Sequence, residues 1–200
     1  MPIVTLDSGD VRDEIRQMQY DSYRLMPGEF LPGVRRFFAT LSNPDQSPKS
    51  ILMTNQTQAG LLPVATSFRI QGMAFDAQSE GAPNIGILPT VVAKTSLNLL
   101  LGVKNYWTGP TRFAAGRMQN TYAAGTAADY IHQQMGEAAV QPLVFQGFHV
   151  IDLPSQQNFQ VQWACERSDL TDVQAALTPA AGSDVLFCLS LKGILRRPVQ

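Results

Sequence analysis

FQVQWAC, residues 159–165, alternates large apolar side chains with glutamine and alanine, and VLFCLSLK, residues 185–192, has the same period of two. Successive side chains of a β-strand point to opposite faces of a sheet, so this alternation indicates strands with one buried face. The inward positions predicted for the two strands are Phe159, Val161, Trp163 and Cys165, and Val185, Phe187, Leu189 and Leu191. The chain is therefore predicted to be mainly β.

Further strands are predicted between segments rich in Pro, Gly, Gln, Asn, Ser and Thr. They cover residues 51–54, 67–76, 94–107 and 143–153, and the two strands above extend over 158–165 and 184–195. Within 67–76 the parity of the apolar residues changes at Gly72, which predicts a β-bulge. The residues expected on one face of the strand at 94–107 are Leu97, Leu99, Leu101 and Val103.

The longest predicted helix lies near the N-terminus. Asp7 or Ser8 can cap a helix over residues 10–23, in which Val11, Ile15 and Met18 line one narrow stripe. Residues 29–50 contain several prolines and are interpreted as an extended arm. Residues 1–50 are thus expected to form an N-terminal helix and arm, and residues 51–200 a single β domain. Short helices are expected in loops at 126–135 and 168–177.

Charged residues make up 16% of the chain, whose net charge is −1, whereas average globular proteins are about 25% charged. A polar surface with few charges costs little to desolvate and repels its own copies weakly, which suits a protein packed against neighbours. A merely solvated, glutamine-rich surface is the alternative. No cationic run exceeds the pairs Arg35 with Arg36 and Arg196 with Arg197, which argues against nucleic-acid binding.

The sequence predicts neither a signal peptide nor a membrane-spanning segment, since its most apolar stretch, residues 85–103, is interrupted by polar residues. Cys165 and Cys188 have opposite parities in their strands, so we expect buried thiols without a disulfide, made in a reducing compartment. His132 and His149 have no metal-ligand spacing, and the nucleophile-elbow, dinucleotide and phosphate-loop motifs are absent. No catalytic residue, cofactor or metal is predicted.

Tyr106 and Trp107 lie at a predicted strand end, where large aromatic rings either stack on a sugar or cover the edge of a core. A monomeric carbohydrate-binding β-sandwich is therefore the principal alternative to a self-associating protein. Scattered acidic pairs leave a hydrolase as a third hypothesis, because glycosidases use two facing carboxylates. Helix capping explains the pairs Asp169 with Asp172 and Asp10 with Asp13 at least as well.

Three segments resemble the jelly-roll coat proteins of tailless icosahedral phages. They are SFRIQGMAFD at 67–76, LNLLLGVKNYWTGP at 97–110 and VLFCLSLKGILRRPVQ at 185–200. The resemblance implies a single eight-stranded jelly-roll sandwich, with strands B to I in two facing sheets, standing upright in a shell and associating as trimers or pseudo-hexamers. It also implies that the N-terminal helix or arm faces the capsid interior or an internal membrane.

The resulting expectation is a structural capsid protein without catalytic activity, assembled in the host cytoplasm and located in the virion. Its partners would be copies of itself and other capsid proteins, with no sequence-specific nucleic acid and no small-molecule substrate. The residues expected at subunit contacts are Val11, Ile15 and Met18 on the helix, Arg35, Arg36, Phe37 and Phe38 on the arm, Tyr106 and Trp107 at a strand end, and Arg196 and Arg197 in the tail.

Overall fold

The computed structural model describes residues 3–5, 11–26, 34–79, 93–115, 118–122, 131–135, 143–145, 150–165 and 185–198. The strands are β1 (Ile3–Thr5), β2 (Val11–Leu25), β3 (Val34–Phe37), β4 (Ser67–Ser79), β5 (Thr95–Leu101), β6 (Lys104–Pro110), β7 (Met118–Tyr122), β8 (Ile131–Met135), β9 (Leu143–Val144), β10 (Ile151–Leu153), β11 (Phe159–Cys165) and β12 (Val185–Pro198). A 3-10 turn at Thr111–Phe113 follows β6. The prediction of a mainly β chain is confirmed.

The strands form two antiparallel sheets. In the large sheet, β1, β2, β12 and β4 lie side by side in that order. The far edge of β4 pairs with β10, β9 and β8 along its length, and β7 pairs with β8. The four-stranded sheet has the order β3-β11-β5-β6. The chain therefore crosses repeatedly from one sheet to the other.

The strand pairing is nested. β5 pairs with β6, β4 with β10, β3 with β11 and β2 with β12, so that each pair encloses the preceding one in sequence. The outermost pair is long, since β12 has 14 residues and all of them lie opposite β2. Strands close to the two ends of the chain are thereby joined in one ladder.

Aromatic side chains of the two sheets meet in one core. Trp163 of β11 lies with its ring centroid 4.6 Å from that of Phe187 on β12 and 5.4 Å from that of Phe75 on β4. Phe37 of β3 packs edge-on against Phe75, with the centroids 6.3 Å apart. All four side chains are buried. Burying such rings supplies much of the apolar area that stabilises a fold, and here it holds the two sheets face to face.

The predicted β-bulge is confirmed. The register of β4 against β12 shifts between Lys192, which lies opposite Gly72, and Gly193, which lies opposite Ile70. Gln71 is consequently the extra residue of β4. The extra residue moves the following side chains to the other parity, so Ile70 before it and Met73 after it are both buried.

The predicted N-terminal helix is wrong, because residues 11–25 form β2. Ile15 lies opposite Leu195 and Met18 opposite Lys192 in the ladder with β12. Side chains three positions apart on a strand point to opposite faces, so Ile15 and Met18 do not share one stripe. Part of the segment 1–50 therefore belongs to the large sheet, while the domain boundary at residue 50 stays a prediction.

The segment after Ser50 covers an edge of β2. The Tyr20 amide donates to Asn55 Oδ1 at 2.9 Å, and Asn55 Nδ2 donates to the Met18 carbonyl at 2.7 Å. An uncovered strand edge would offer its N–H and C=O groups to other chains, so these side-chain contacts protect it. The Tyr20 hydroxyl also donates a hydrogen bond to the Ile51 carbonyl, which holds residues 50–54 against β2.

The strand predicted at 51–54 is wrong. The amides of Met53 and Thr54 both donate to the Ser50 carbonyl, which makes a turn rather than a ladder. Ile51 and Leu52 are exposed on this turn. Two adjacent apolar residues in a short run do not distinguish a strand from a turn held by distant side chains.

The single strand predicted at 94–107 is instead the β5–β6 hairpin. Leu97, Leu99 and Leu101 are buried on one face as expected. Gly102 has a φ of +58°, and the chain reverses there, which leaves Val103 exposed at the tip. The prediction that Val103 shares the buried face is therefore wrong.

Part of the short helix predicted at 126–135 is also wrong, since Ile131–Met135 pairs with Met118–Tyr122 as a strand. The helix predicted at 168–177 and His149 lie outside the described residues. Cys165 and Cys188 are half-buried and form no disulfide. No helix among the residues described has the length and apolar character that crossing a bilayer would require.

Candidate interaction surface

The outward side chains of the four-stranded sheet are aligned in rows across its strands. Inward and outward positions alternate along β5 and β11, as their burial shows. The rows are Arg36, Gln162, Asn98 and Thr108; then Val34, Ala164, Ser96 and Pro110; and then Gln160, Leu100 and Asn105. We call this set the low-charge face. The rows form because the residues that pair across β3, β11, β5 and β6 lie on the same side of the sheet.

The low-charge face carries one charged side chain, Arg36, which is exposed near one edge. The other members are amides, hydroxyls and small or apolar residues. Asn105 Nδ2 donates to Thr108 Oγ1 at 2.6 Å, so part of the polar set is already satisfied within the face. Uncharged polar groups lose less free energy on leaving water than charged groups do. Covering this surface with a partner therefore costs little desolvation free energy.

The outward side of the large sheet has the opposite character. Glu14 accepts a hydrogen bond from Arg196 Nε at 2.7 Å, and Asp152 accepts one from Arg69 Nε at 2.8 Å. Lys192 follows on the same face of β12, two residues from Ile194, which lies opposite Arg69. Most outward charged side chains of the described strands thus lie on the large sheet, and few lie on the four-stranded sheet.

Two depressions lie at the ends of the low-charge face. The first, of about 620 Å³, lies beside β3 and is lined by Val34 and Arg36 of the face. In its wall the guanidinium of Arg35 lies 5.4 Å from the ring centroid of Tyr23. The second, of about 460 Å³, lies beside β6 and includes Ser96. These depressions give the margins of the face a shape into which the side chains of a partner can fit.

The structure divides the contact residues predicted on the arm. Arg36 belongs to the low-charge face, and Arg35 points to the other side of β3. Phe37 and Phe38 are both 1% exposed, and the Phe38 ring centroid lies 5.3 Å from that of Phe159. The expectation that these two rings contact neighbouring subunits is corrected, since core packing leaves no surface of theirs to a partner.

The other predicted contact residues do not gather at one place. Met18 is exposed and Ile15 is half-buried on opposite sides of β2, and Val11 lies opposite Thr5. Arg196 pairs with Glu14 as described above. Arg197 Nε lies 3.9 Å from a carboxylate oxygen of Asp13. The basic pair of the tail therefore makes cross-strand ion pairs with β2.

Tyr106 and Trp107 have different environments. Tyr106 is exposed at the β6 edge beside the low-charge face, with Lys104 Nζ 4.9 Å from its ring centroid. The Trp107 ring contacts Phe145, with centroids 6.3 Å apart, and lies over Gly109, whose added Cβ would come within 2.6 Å of the indole. The indole therefore covers the edge of the core and is half-buried there.

Replacing Trp107 by alanine is expected to lower the free energy of unfolding by about 2 kcal/mol, since a half-buried aromatic ring loses part of its packing. Titration with a panel of mono- and oligosaccharides should give the same absence of affinity for the wild type and the variant. Equilibrium unfolding and calorimetric titration measure the two effects. A sugar that binds the wild type and is lost in the variant would instead support the carbohydrate-binding hypothesis.

The described residues contain no group of three or more His, Cys, Asp or Glu side chains that could hold a metal. Among the ion pairs of the described residues, Asp21 with Lys49 is the most buried: the two groups are joined at 2.7 Å, and both side chains are nearly inaccessible to water. Burial raises the pKa of Asp21, and the nearby Lys49 ammonium and Phe38 amide offset part of that effect. Because the pair is closed off, its chemistry is structural.

The contact residues predicted from the sequence include only Arg36 of the low-charge face. The alternation in residues 159–165 marks Gln160 and Gln162 as outward but does not identify them as contact residues. No sequence signal points to Asn98, Ser96 or Thr108, which join the face through strand register. No family model, curated protein sequence or solved structure matches the chain.

Proposed function

We propose that this protein is a structural coat subunit with a jelly-roll fold, which works by associating with its own copies in a viral capsid. The observation that carries the proposal is the nested strand pairing. In a jelly roll one long antiparallel hairpin is rolled into two sheets, so the first strand pairs with the last and the second with the last but one. The pairs β2–β12, β3–β11, β4–β10 and β5–β6 fit this scheme.

The eight strands of these pairs would be strands B to I of the jelly roll. Their order would be β2-β12-β4-β10 in one sheet and β3-β11-β5-β6 in the other. The strands β1, β7, β8 and β9 would then be additions at the edges of the large sheet. Jelly rolls are found in viral capsid proteins but also in lectins and cupins, so the fold alone does not select the function.

The surface favours the structural role among these. The low-charge face lacks the convergent ionisable groups of a catalytic site, and Trp107 is not presented as a stacking platform. A capsid subunit needs broad surfaces that can be covered by neighbours at a small desolvation cost. The same reasoning supports homo-oligomers as the partners and the virion as the location.

Purified protein is expected to associate as its concentration rises, and to form trimers, pseudo-hexamers or closed particles. Sedimentation velocity over a wide range of protein and salt concentration, with electron microscopy of the same samples, measures this. A protein that stays strictly monomeric at high concentration in every salt condition would contradict the proposal.

A further inference from the structure

We propose that the low-charge face is where one copy of this protein packs against a second copy. The proposal rests on the self-association proposed above and names the surface that mediates it. The occupant is a second copy because the face lacks the charge complementarity that would select a different, oppositely charged partner.

The charge distribution is the first argument. In interface cores charged residues are depleted, whereas the rim stays polar and accessible. The low-charge face has uncharged residues at its centre, around Gln162 and Asn98, with Arg36 near the β3 edge. The large sheet carries Glu14, Arg196 and other charges on its outward side, and covering them would cost far more.

The second argument is that two copies present identical surfaces to each other. Two identical surfaces that meet bring like charges together, and such juxtaposition costs several kcal/mol in a dry contact. The centre of the face carries no charge, and its cations lie at the margins, with Arg36 beside β3 and Lys94 and Arg112 beside β6, where the rim of an interface stays accessible to water. A face adapted to a nucleic acid or an acidic partner would instead carry clustered cations.

The area of the face fits a lattice rather than an isolated pair. β5 and β11 have seven residues each, and four strands of that length cover about 19 by 23 Å, or about 440 Å². Stable isolated complexes bury about 800 Å² on each partner. One such contact is therefore too weak alone in dilute solution. Repetition of the contact around a closed assembly makes it effective.

The packing is tested with an amide-to-carboxylate change at the centre of the face. Asn98→Asp preserves side-chain shape and places a like charge at the centre of every contact, between Gln162 and Thr108 and separated from Arg36 by one strand. Gln71→Glu makes the same kind of change at the exposed bulge residue of the large sheet and is the matched control. We expect Asn98→Asp to raise the concentration at which association begins by about tenfold or more, and Gln71→Glu to leave it unchanged.

Sedimentation velocity on the full chain gives the association midpoints, and thermal unfolding at low concentration verifies that both variants fold. Unchanged association of Asn98→Asp overturns the inference while leaving self-association intact. Equal loss in both variants also overturns it, because the effect is then not specific to this face. A lower melting temperature of monomeric Asn98→Asp, with normal association, shows that the chain itself covers the face and overturns it too. Failure of the wild type to associate contradicts the proposed function itself.

Discussion

Replacing Asp21 by asparagine is expected to lower the free energy of unfolding by about 3–5 kcal/mol, because it removes one member of a buried ion pair. Lys49 Nζ lies 2.7 and 2.9 Å from the two carboxylate oxygens. The side chains are 0% exposed for Asp21 and 4% for Lys49. The variant leaves the Lys49 ammonium without a counter-charge in a place that water does not reach.

The same carboxylate also holds the backbone at the start of the segment after β3. The Phe38 amide donates to Asp21 Oδ2 at 2.6 Å. Phe38 has a φ of +67°, a conformation that is costly for a residue with a side chain. Asp21 therefore links β2 to the segment that closes this side of the core, and its loss is expected to loosen the Phe38 ring from Phe159.

Two variants separate the ion pair from a general effect of losing an acid. Asp152→Asn breaks the exposed pair with Arg69, whose side chains are 36% and 59% exposed for Arg69 and Asp152, and should cost less than about 1 kcal/mol. Asp21→Asn combined with Lys49→Met removes both charges and should recover most of the loss. Equilibrium denaturation measures all three. A loss for Asp21→Asn no larger than for Asp152→Asn would show that the buried pair contributes little.

The sequence predicts well those strands that are apolar on one side and polar on the other. β11 and β12 were identified with nearly their observed bounds, because Trp163 and Phe187 stand in clean alternation. The bulge in β4 was equally readable, since one extra residue changes parity and nothing else in a strand does so. These features are local, and their physical cause lies within a few residues.

β2 was not predicted because the cause of its strand lies far away in the chain. Its inward positions include Gln19 and Asp21, so the alternation of apolar residues that marks a strand is missing. These polar side chains are tolerated because Gln56 donates to Gln19 at 2.6 Å and Lys49 pairs with Asp21. The ladder with β12 then decides the conformation. A local sequence pattern does not show hydrogen-bond partners that lie 28 or 37 residues away in the chain.

The low-charge face illustrates the same limit for function. The outward character of Gln160 and Gln162 follows from the alternation in β11. Their position beside Asn98 and Thr108 depends on the registers of three strands, which single-sequence patterns do not fix. The predictions based on residue type selected Phe37 and Phe38 for contacts, because exposure cannot be read from apolar character.

The bulge of β4 and the glycine of β12 form one structural feature, although they are far apart in sequence. Gly193 lies at the register shift opposite Ile70, and the Arg69 carbonyl approaches it closely. A Cβ added at Gly193 would come within 1.9 Å of the Arg69 oxygen and 2.9 Å of the Phe68 ring. The obstacle is backbone held in a ladder, so no rotation of a side chain can relieve it.

Gly193→Ala is therefore expected to lower the free energy of unfolding by about 4 kcal/mol or more, at the upper end of single-substitution effects. Relief requires β12 to move away from β4, which breaks the central ladder of the large sheet. Gly102→Ala is the matched control, since its Cβ would meet only Gln157 at 3.8 Å and the substitution costs just the strain of a φ of +58°, about 1–2 kcal/mol. Equilibrium unfolding and the soluble yield of both variants measure the difference. Equal losses in the two variants would contradict the contact between β4 and β12 as the reason for glycine at residue 193.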